Sequence, residues 1–177
     1  MVIILMGVSG VGKTTIGRLL AQELGWRFYE GDDFHPQANI DKMRQGIPLT
    51  DDDRWPWLHA LRARIETCLR QGEAAVLACS ALKQVYRERL IADEAEVRLV
   101  YLKGSYALIH ERLAQRQGHF MPQELLASQL ATLEEPDRGI TVEAGHPPAT
   151  IVAYIRQQLG LGERSPSIKP PSAGTVM

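Results

Sequence analysis

A cluster of small and hydroxyl-bearing residues near the start of the chain has the spacing of a phosphate-binding loop. Residues 7–14 read GVSGVGKT, which satisfies the pattern G-x-x-x-x-G-K-[ST]. Glycines allow backbone conformations that other residues avoid, so several amide N–H groups can point at the same phosphate oxygens. The residues predicted to surround a nucleotide's phosphates are Gly7, Val8, Ser9, Gly10, Val11, Gly12, Lys13, Thr14 and Thr15.

Two side chains of this loop could take part in phosphate chemistry. We expect the Lys13 ammonium group to reach the β- and γ-phosphates and the Thr14 hydroxyl to be a ligand of Mg²⁺. An apolar run at residues 2–6 precedes the loop, and a helical pattern begins near Lys13, so the positive end of a helix would face the anion. A chance match in a glycine-containing turn is the alternative. The strand before the loop and the helix after it argue against chance.

Charged side chains also follow the second apolar segment. Residues 26–30 have the composition of a short strand, and the sequence GDDFH follows at residues 31–35. Open α/β sheets bind their ligands beyond the carboxyl ends of parallel strands. Asp32, Asp33 and His35 are therefore candidate site residues. The structural alternatives are loop capping by the aspartates and a buried histidine bonded to the backbone.

Two arginines lie on one face of a later helix. Arg112 and Arg116 are four residues apart, and the sequence GHFMP at residues 118–122 interrupts the helical pattern. Basic residues beside a glycine-containing interruption suggest a mobile lid at about residues 116–125. The alternative is an ordinary solvated face of an amphipathic helix.

The composition limits the class of protein. The chain has 177 residues and a formal net charge of −1, which argues against a general nucleic-acid or membrane-surface binder. No apolar stretch reaches the length of about 18 residues that a membrane-spanning helix needs. The two cysteines, Cys68 and Cys79, have neither metal-ligand spacing nor a C-x-x-C arrangement. We interpret both as core residues of a protein from a reducing compartment.

Apolar strand-like runs alternate with helical patterns along the chain. This order is typical of an α/β protein with a parallel, doubly wound sheet. The expected organisation is one domain at residues 1–159, followed by a flexible tail at residues 160–177 that is rich in Gly, Pro and Ser. The expected strands are residues 2–6, 26–30, 74–79, 97–102 and 140–142.

A run of three aspartates precedes a long helical pattern. Asp51, Asp52 and Asp53 come before residues 55–69, whose apolar positions share one face. Carboxylates at the first turn stabilise a helix by capping it and by interacting with its dipole. We favour this structural role for Asp51 and Asp52.

Several longer motifs, taken together, resemble the small P-loop gluconate kinases (gluconokinases), which are related to shikimate and nucleoside-monophosphate kinases. The similarity covers residues 2–159. The P-loop is common to many families, whereas the combination of the other motifs is more specific. The motifs are GVSGVGKTT at 7–15, GDDFHP at 31–36, PLTDDDR ending at Arg54, CSALK at 79–83 with Tyr86 and Arg87, YLKG at 101–104, GHF at 118–120 and TLEEP at 132–136.

The resemblance implies a P-loop NTPase fold with a five-stranded parallel sheet and a small helical lid. It implies ATP-dependent phosphorylation of the terminal hydroxyl of D-gluconate to give 6-phosphogluconate, with Mg²⁺ as cofactor, in a cytoplasmic enzyme that forms a homodimer. One departure concerns the third strand, because residues 77–80 read LACS and lack a terminal Walker B aspartate. Glu30 and Asp32 are the candidates for supporting Mg²⁺ through water.

The resemblance also implies roles for individual residues. Lys13, Asp32 and Arg116 would be catalytic, with Asp32 accepting the proton of the hydroxyl. Arg112 would stack on adenine and Arg116 would contact phosphate. The predicted gluconate-binding residues are Asp32, Asp33, His35, Asn39, Arg54, Lys83 and Arg87.

Two other functions remain open from the residues. One is a small P-loop kinase for another acceptor, such as shikimate or a nucleoside monophosphate. The other is a nucleotide-binding module without transfer activity. Carboxylates after the second strand and a basic lid favour a kinase, because a nucleotide-binding module without transfer activity needs no acceptor pocket.

Overall fold

The strand-like runs of the sequence form one parallel sheet. The computed structural model describes residues 1–92, 95–115 and 123–162, and residues 123–125 only for their backbone. The strands lie side by side in the order β2-β3-β1-β4-β5, and every neighbouring pair is parallel. They are β1 (Val2–Met6), β2 (Arg27–Glu30), β3 (Ala75–Ala78), β4 (Val97–Lys103) and β5 (Ile140–Glu143). The predicted five-stranded parallel sheet is confirmed.

Helices connect the strands and cover both faces of the sheet. A 3₁₀ turn, Gly31–Phe34, follows β2 directly. Among the described residues, the helices are α1 (Lys13–Leu24), α2 (Gln37–Arg44), α3 (Asp51–Arg70), α4 (Gln84–Leu90), α5 (Tyr106–Gln115), α6 (Gln123–Thr132) and α7 (Pro148–Gln158). None of these described helices combines the length and the apolar character needed to cross a membrane.

Two apolar layers hold the helices against the sheet. Alternate residues of β1 point to opposite faces, so Ile3 and Leu5 join one core while Ile4 joins the other. The first core includes α1 and α7, and the second includes α3 and α4. Burial on both faces explains why β1 and β3 are continuous apolar runs rather than alternating ones.

The long helix α3 begins at the aspartate run, four residues earlier than the apolar pattern indicated. Thr50 is the N-cap: its hydroxyl accepts a hydrogen bond from the Asp53 N–H at 3.2 Å, and the Asp53 carboxylate accepts one from the Thr50 N–H at 2.9 Å. This reciprocal pair is a capping box. The aspartates do occupy the first turn, where their charge favours the helix dipole. The cap itself is Thr50, which frees Asp51 for other contacts.

Some of the predicted organisation lies outside the described residues. Residues 116–122, most of the predicted lid, and residues 163–177, most of the predicted tail, are among those not described. The division into a domain, a lid and a tail therefore stays a prediction.

Candidate active site

The loop between β1 and α1 wraps around a point at the carboxyl end of the sheet. Gly7 has φ +145°, and a Cβ atom there would lie 2.8 Å from the Leu102 carbonyl oxygen. Gly12, the residue before α1, has φ +112°. Side chains are strongly disfavoured at both positions, so the glycines of the motif are required by the backbone itself. Residues 7–14, the phosphate cradle, therefore have the loop shape that the sequence pattern predicts.

The Lys13 side chain folds over this loop. Its ammonium group donates hydrogen bonds to the carbonyl oxygens of Gly7 at 2.9 Å and Val8 at 3.1 Å. The positive charge is consequently held within the loop, beside the start of α1. This position suits a cation that neutralises phosphate oxygens.

The Thr14 hydroxyl contacts the last residue of β2. It donates a hydrogen bond to the Glu30 carboxylate, with 2.7 Å between Oγ1 and Oε2. Burial raises the pKa of Glu30, and the bond from Thr14 opposes that change. Since the hydroxyl proton is committed to Glu30, the lone pairs of Thr14 are directed elsewhere. Oxygen lone pairs are what a hard divalent cation requires, so Thr14 and Glu30 fit a magnesium site.

A cavity of about 330 Å³ lies beside the phosphate cradle. Its walls include Gly12, Thr15, Arg112 and His146. The Arg112 guanidinium donates to the carbonyl oxygens of Val11 and Ala144, both at 2.7 Å. Arg112 thus joins the cradle to the segment after β5 and forms one wall of the cavity. The location suits the base and sugar of a nucleotide whose phosphates occupy the cradle.

Asp32 lies in the tight turn that follows β2. A Cβ atom on Gly31 would overlap the Ala78 carbonyl oxygen, so the turn packs directly on the end of β3. The Trp57 indole N–H, from α3, donates to the Gly31 carbonyl at 2.7 Å. The turn is therefore fixed from two sides, while 73% of the Asp32 side chain is exposed. Asp33 is exposed as well.

His35 is enclosed behind this turn. Its ring stacks on Trp57 with 4.3 Å between centroids, and only 5% of its side chain is exposed. The Asn39 amide nitrogen lies 3.3 Å from His35 Nδ1 and donates to the Asp53 carbonyl at 2.7 Å. Burial lowers the pKa of His35, and the proximity of Asp32, whose Oδ1 is 3.9 Å from Nε2, acts in the opposite direction. An Asn39 donor facing Nδ1 favours the tautomer that carries its proton on Nε2.

Asp51 is the centre of a second charged cluster. Its carboxylate accepts bonds from the Lys83 ammonium group, 2.8 Å from both oxygens, and from the Tyr86 hydroxyl at 2.5 Å. Arg54 Nη1 lies 3.8 Å from the same carboxylate and 3.4 Å from the Tyr86 oxygen. The bonds from Lys83 and Tyr86 lower the pKa of Asp51, and the bond to Asp51 raises the pKa of Lys83. Two cations are thereby gathered around one carboxylate and one hydroxyl.

The other predicted site residues have different surroundings. Arg87 is buried, and its guanidinium donates to the carbonyl oxygens of Ala81 at 3.1 Å and Leu82 at 3.0 Å. These bonds support a turn in which Ala81 has φ +42°. Burial lowers the pKa of Arg87. Arg116 lies outside the described residues.

Sequence reasoning assigned no ligand contact to three residues that the structure brings to this edge of the sheet. Asp51 was interpreted as a helix-capping residue, and Tyr86 was part of a motif without a role. Gln129, from α6, contacts the phosphate cradle through the Ser9 N–H at 2.7 Å. A tyrosine three residues after Lys83 could have indicated the charged cluster around Asp51. No local pattern indicates a contact between residues 120 positions apart.

The fold and the cradle define a small P-loop kinase. The family model described as an AAA domain matches residues 2–136. A gluconokinase of Gluconobacter oxydans is 47% identical over 158 residues, which are 87% of this chain and 89% of the relative. The chain belongs to the gluconokinase family. Membership of a P-loop kinase family implies the use of ATP with a divalent metal.

Solved structures agree with this assignment. The unliganded structure of a sugar kinase from Janibacter sp. HTCC2649 has a TM-score of 0.84 and 42% identity, and the match covers 92% of this chain and 95% of that one. The structure of a gluconokinase from Sinorhizobium meliloti 1021 has a TM-score of 0.76 and 43% identity, with 90% and 95% covered. The predicted family and the predicted P-loop kinase fold are confirmed.

Proposed function

We propose that the protein transfers the γ-phosphoryl group of ATP to the terminal hydroxyl of D-gluconate and releases 6-phosphogluconate and ADP. The observation that carries this proposal is the 2.7 Å hydrogen bond between Thr14 and Glu30. It joins the phosphate cradle to the end of β2, and Asp32 follows two residues later. A donor site and an exposed carboxylate suited to an acceptor therefore share one edge of the sheet.

In this mechanism the acceptor oxygen forms a bond to the γ-phosphorus while the bond to the β,γ-bridging oxygen breaks. Asp32 orients the hydroxyl and accepts its proton. Lys13, the amide groups of the cradle and Arg116 stabilise the negative charge of the transferred group. Holding the two reactants in line contributes about 7 to 11 kcal/mol to lowering the barrier.

Mg²⁺ is the divalent cation that we assign to this site. Thr14 would hold it directly, and Glu30 would act through water, because Glu30 already accepts the Thr14 proton. Asp32 is the second carboxylate near the end of β2. The cation would neutralise charge on the β- and γ-phosphate oxygens. In this assignment Glu30 and Asp32 take the metal-supporting role of the Walker B aspartate that is absent from the end of β3.

The acceptor pocket would lie between the 3₁₀ turn and α4. A gluconate carboxylate needs cations, for which Arg54 and Lys83 are the best placed because they already converge on Asp51. Asp51 and Tyr86 add hydrogen-bonding groups for sugar hydroxyls. We assign the sugar hydroxyls also to Asp33, His35 and Asn39. Arg87 is assigned to the carboxylate side of the pocket, where its buried guanidinium would support the loop at residues 81–82.

We further assign Arg112 to the adenine side of the nucleotide cavity. It already forms one wall of that cavity, as stacking on a base would require. We also propose that the enzyme is a cytoplasmic homodimer with no nucleic-acid or membrane partner, as the family resemblance and the near-neutral net charge of −1 suggest.

A substrate panel tests the function. Purified protein with Mg²⁺ and ATP is supplied with gluconate, shikimate or nucleoside monophosphates, and ADP release is followed by a coupled assay. We expect release to depend on gluconate and ³¹P NMR to detect a phosphate monoester on carbon 6. Turnover with another acceptor alone would support a different kinase. ATP binding without any acceptor-dependent ADP release would support a nucleotide-binding module.

A further inference from the structure

The segment at residues 129–136, which begins in the last turn of α6, contains the TLEEP motif, to which the proposed mechanism gives no role. It crosses the edge of the sheet where the nucleotide and the acceptor would meet. Leu133 packs against both apolar cores, so the segment is anchored between the two faces of the sheet. Lys103, the last residue of β4, forms an ion pair with Glu135 at 2.8 Å. These contacts hold the segment against the strand ends.

One end of this segment contacts the donor side. The Gln129 side-chain oxygen accepts a hydrogen bond from the Ser9 N–H at 2.7 Å. Ser9 lies within the phosphate cradle, between Val8 and Gly10. A half-buried amide that lost this partner would be left without a hydrogen bond, so the conformation of the loop depends in part on Gln129.

The other end contacts the acceptor side. The Glu134 N–H donates to the Leu82 carbonyl at 2.9 Å, and the Glu134 carboxylate accepts from the Gln84 N–H at 2.6 Å. Gln84 is the first residue of α4, directly after Lys83. Glu134 therefore fixes the start of the helix that carries Tyr86, and with it the position of Lys83.

We propose that residues 129–135 form a brace that sets the donor and acceptor sides of the site relative to each other. Gln129 is a positioning residue for the phosphate cradle, and Glu134 is a positioning residue for the loop and helix at residues 81–86. Neither residue needs to contact a reacting atom. The inference rests on the proposed phosphoryl transfer, because it assigns each end of the brace to one of the two substrates.

The donor end is tested with Gln129→Met, which keeps the length of the side chain and removes the acceptor oxygen. We expect the Kd of ATP, measured by calorimetry without acceptor, to rise about 3- to 10-fold, as the loss of one hydrogen bond predicts. Turnover should fall at least tenfold while the KM of gluconate stays within about twofold. Gln129→Glu restores an acceptor for Ser9 and should recover part of the turnover at saturating ATP. Ser128→Ala, on the same helix and exposed, is the control.

The acceptor end is tested with Glu134→Ala, which should raise the KM of gluconate at least fivefold, lower turnover at saturating gluconate and leave the Kd of ATP unchanged. Because the two ends belong to one brace, the combined variant should lose less turnover than the product of the two single losses predicts.

Three results would overturn the brace. Tighter ATP binding in Gln129→Met would mean that Gln129 competes with phosphate. A lowered Tm with unchanged kinetic constants would mean that residues 129–135 have a structural role alone. A turnover loss in the combined variant equal to the product of the two single losses would mean two separate contacts. The calorimetric measurement of ATP binding needs no acceptor, so it tests the donor end of the brace even if the protein does not phosphorylate gluconate. A failure to phosphorylate gluconate would count against the proposed function and not against the brace.

Discussion

Thr14 Oγ1 and Glu30 Oε2 lie 2.7 Å apart and join the start of α1 to the end of β2. Thr14 is in the first turn of that helix, whereas Glu30 is the last residue of β2. The bond orients the hydroxyl so that its proton points to the carboxylate and its lone pairs remain for a cation. Under the proposed magnesium assignment, Glu30 orients Thr14 for binding the cation.

Replacing Glu30 should weaken the use of Mg²⁺. In Glu30→Gln the side chain keeps its shape but loses its charge, and its amide group can donate to Thr14 instead of accepting. We expect the Mg²⁺ concentration needed for half-maximal activity to rise about tenfold, equivalent to ~1.4 kcal/mol. Steady-state assays over a magnesium titration measure this. Glu66→Gln removes an exposed carboxylate of α3 and should leave the titration unchanged.

Asp32→Asn should lower turnover with gluconate by more than tenfold. The substitution keeps the size of the side chain but removes the carboxylate that, in the proposed mechanism, orients the hydroxyl and accepts its proton. The KM of ATP should change little, because we assign Asp32 to the acceptor hydroxyl. Asp41→Asn, an exposed residue of α2, is the matched control. Turnover within about tenfold of the wild type would contradict the assignment.

The sequence predicts the sheet and the cradle well because both depend on local patterns. Continuous apolar runs mark buried parallel strands, and the glycines of the cradle are required by backbone geometry. The apolar pattern predicts a start for α3 that is four residues too late, because the apolar face of the helix begins after its polar first turn. Thr50, rather than an aspartate, is the residue that caps it.

The contacts within the site were harder to predict because they join distant residues. Asp51 meets Lys83 and Tyr86 only once α3 and α4 pack on the same face of the sheet. A first-turn aspartate satisfies a local capping rule as well, so the sequence alone could not separate the two roles. Gln129 reaches Ser9 only because the last turn of α6 lies against the loop after β1 in the folded chain.

Lys83→Met should mainly weaken gluconate binding. The change preserves the length of the side chain and removes the ammonium group that Asp51 holds in place. Asp51 would then face the pocket with less positive charge beside it and would repel a carboxylate. We expect the KM of gluconate to rise at least tenfold and the Kd of ATP to stay within about twofold. Arg70→Met removes a cation from the far end of α3 and should change neither constant.

The two arginines of the R-x-x-x-R pair should have separable effects. Arg112→Ala removes a wall of the nucleotide cavity and its bonds to Val11 and Ala144, so the Kd of ATP should rise about tenfold. Arg116→Ala should mainly reduce turnover, since we assign Arg116 to the transferred phosphate. Calorimetry and single-turnover kinetics distinguish the two effects. The reverse pattern would contradict the assigned roles.

His35 should make the stability of the protein depend on pH in mildly acidic solution. Burial lowers the pKa of His35 in the folded state, so below the ordinary histidine pKa of about 6.5 the unfolded chain binds a proton more readily than the folded one. The free energy of unfolding should therefore decrease as the pH falls from about 7.5 to 5.5. Urea denaturation at both pH values should show a smaller decrease for His35→Gln than for the wild type. His59→Gln, an exposed residue of α3, should keep the wild-type decrease. An equal decrease in His35→Gln would show that other groups cause it.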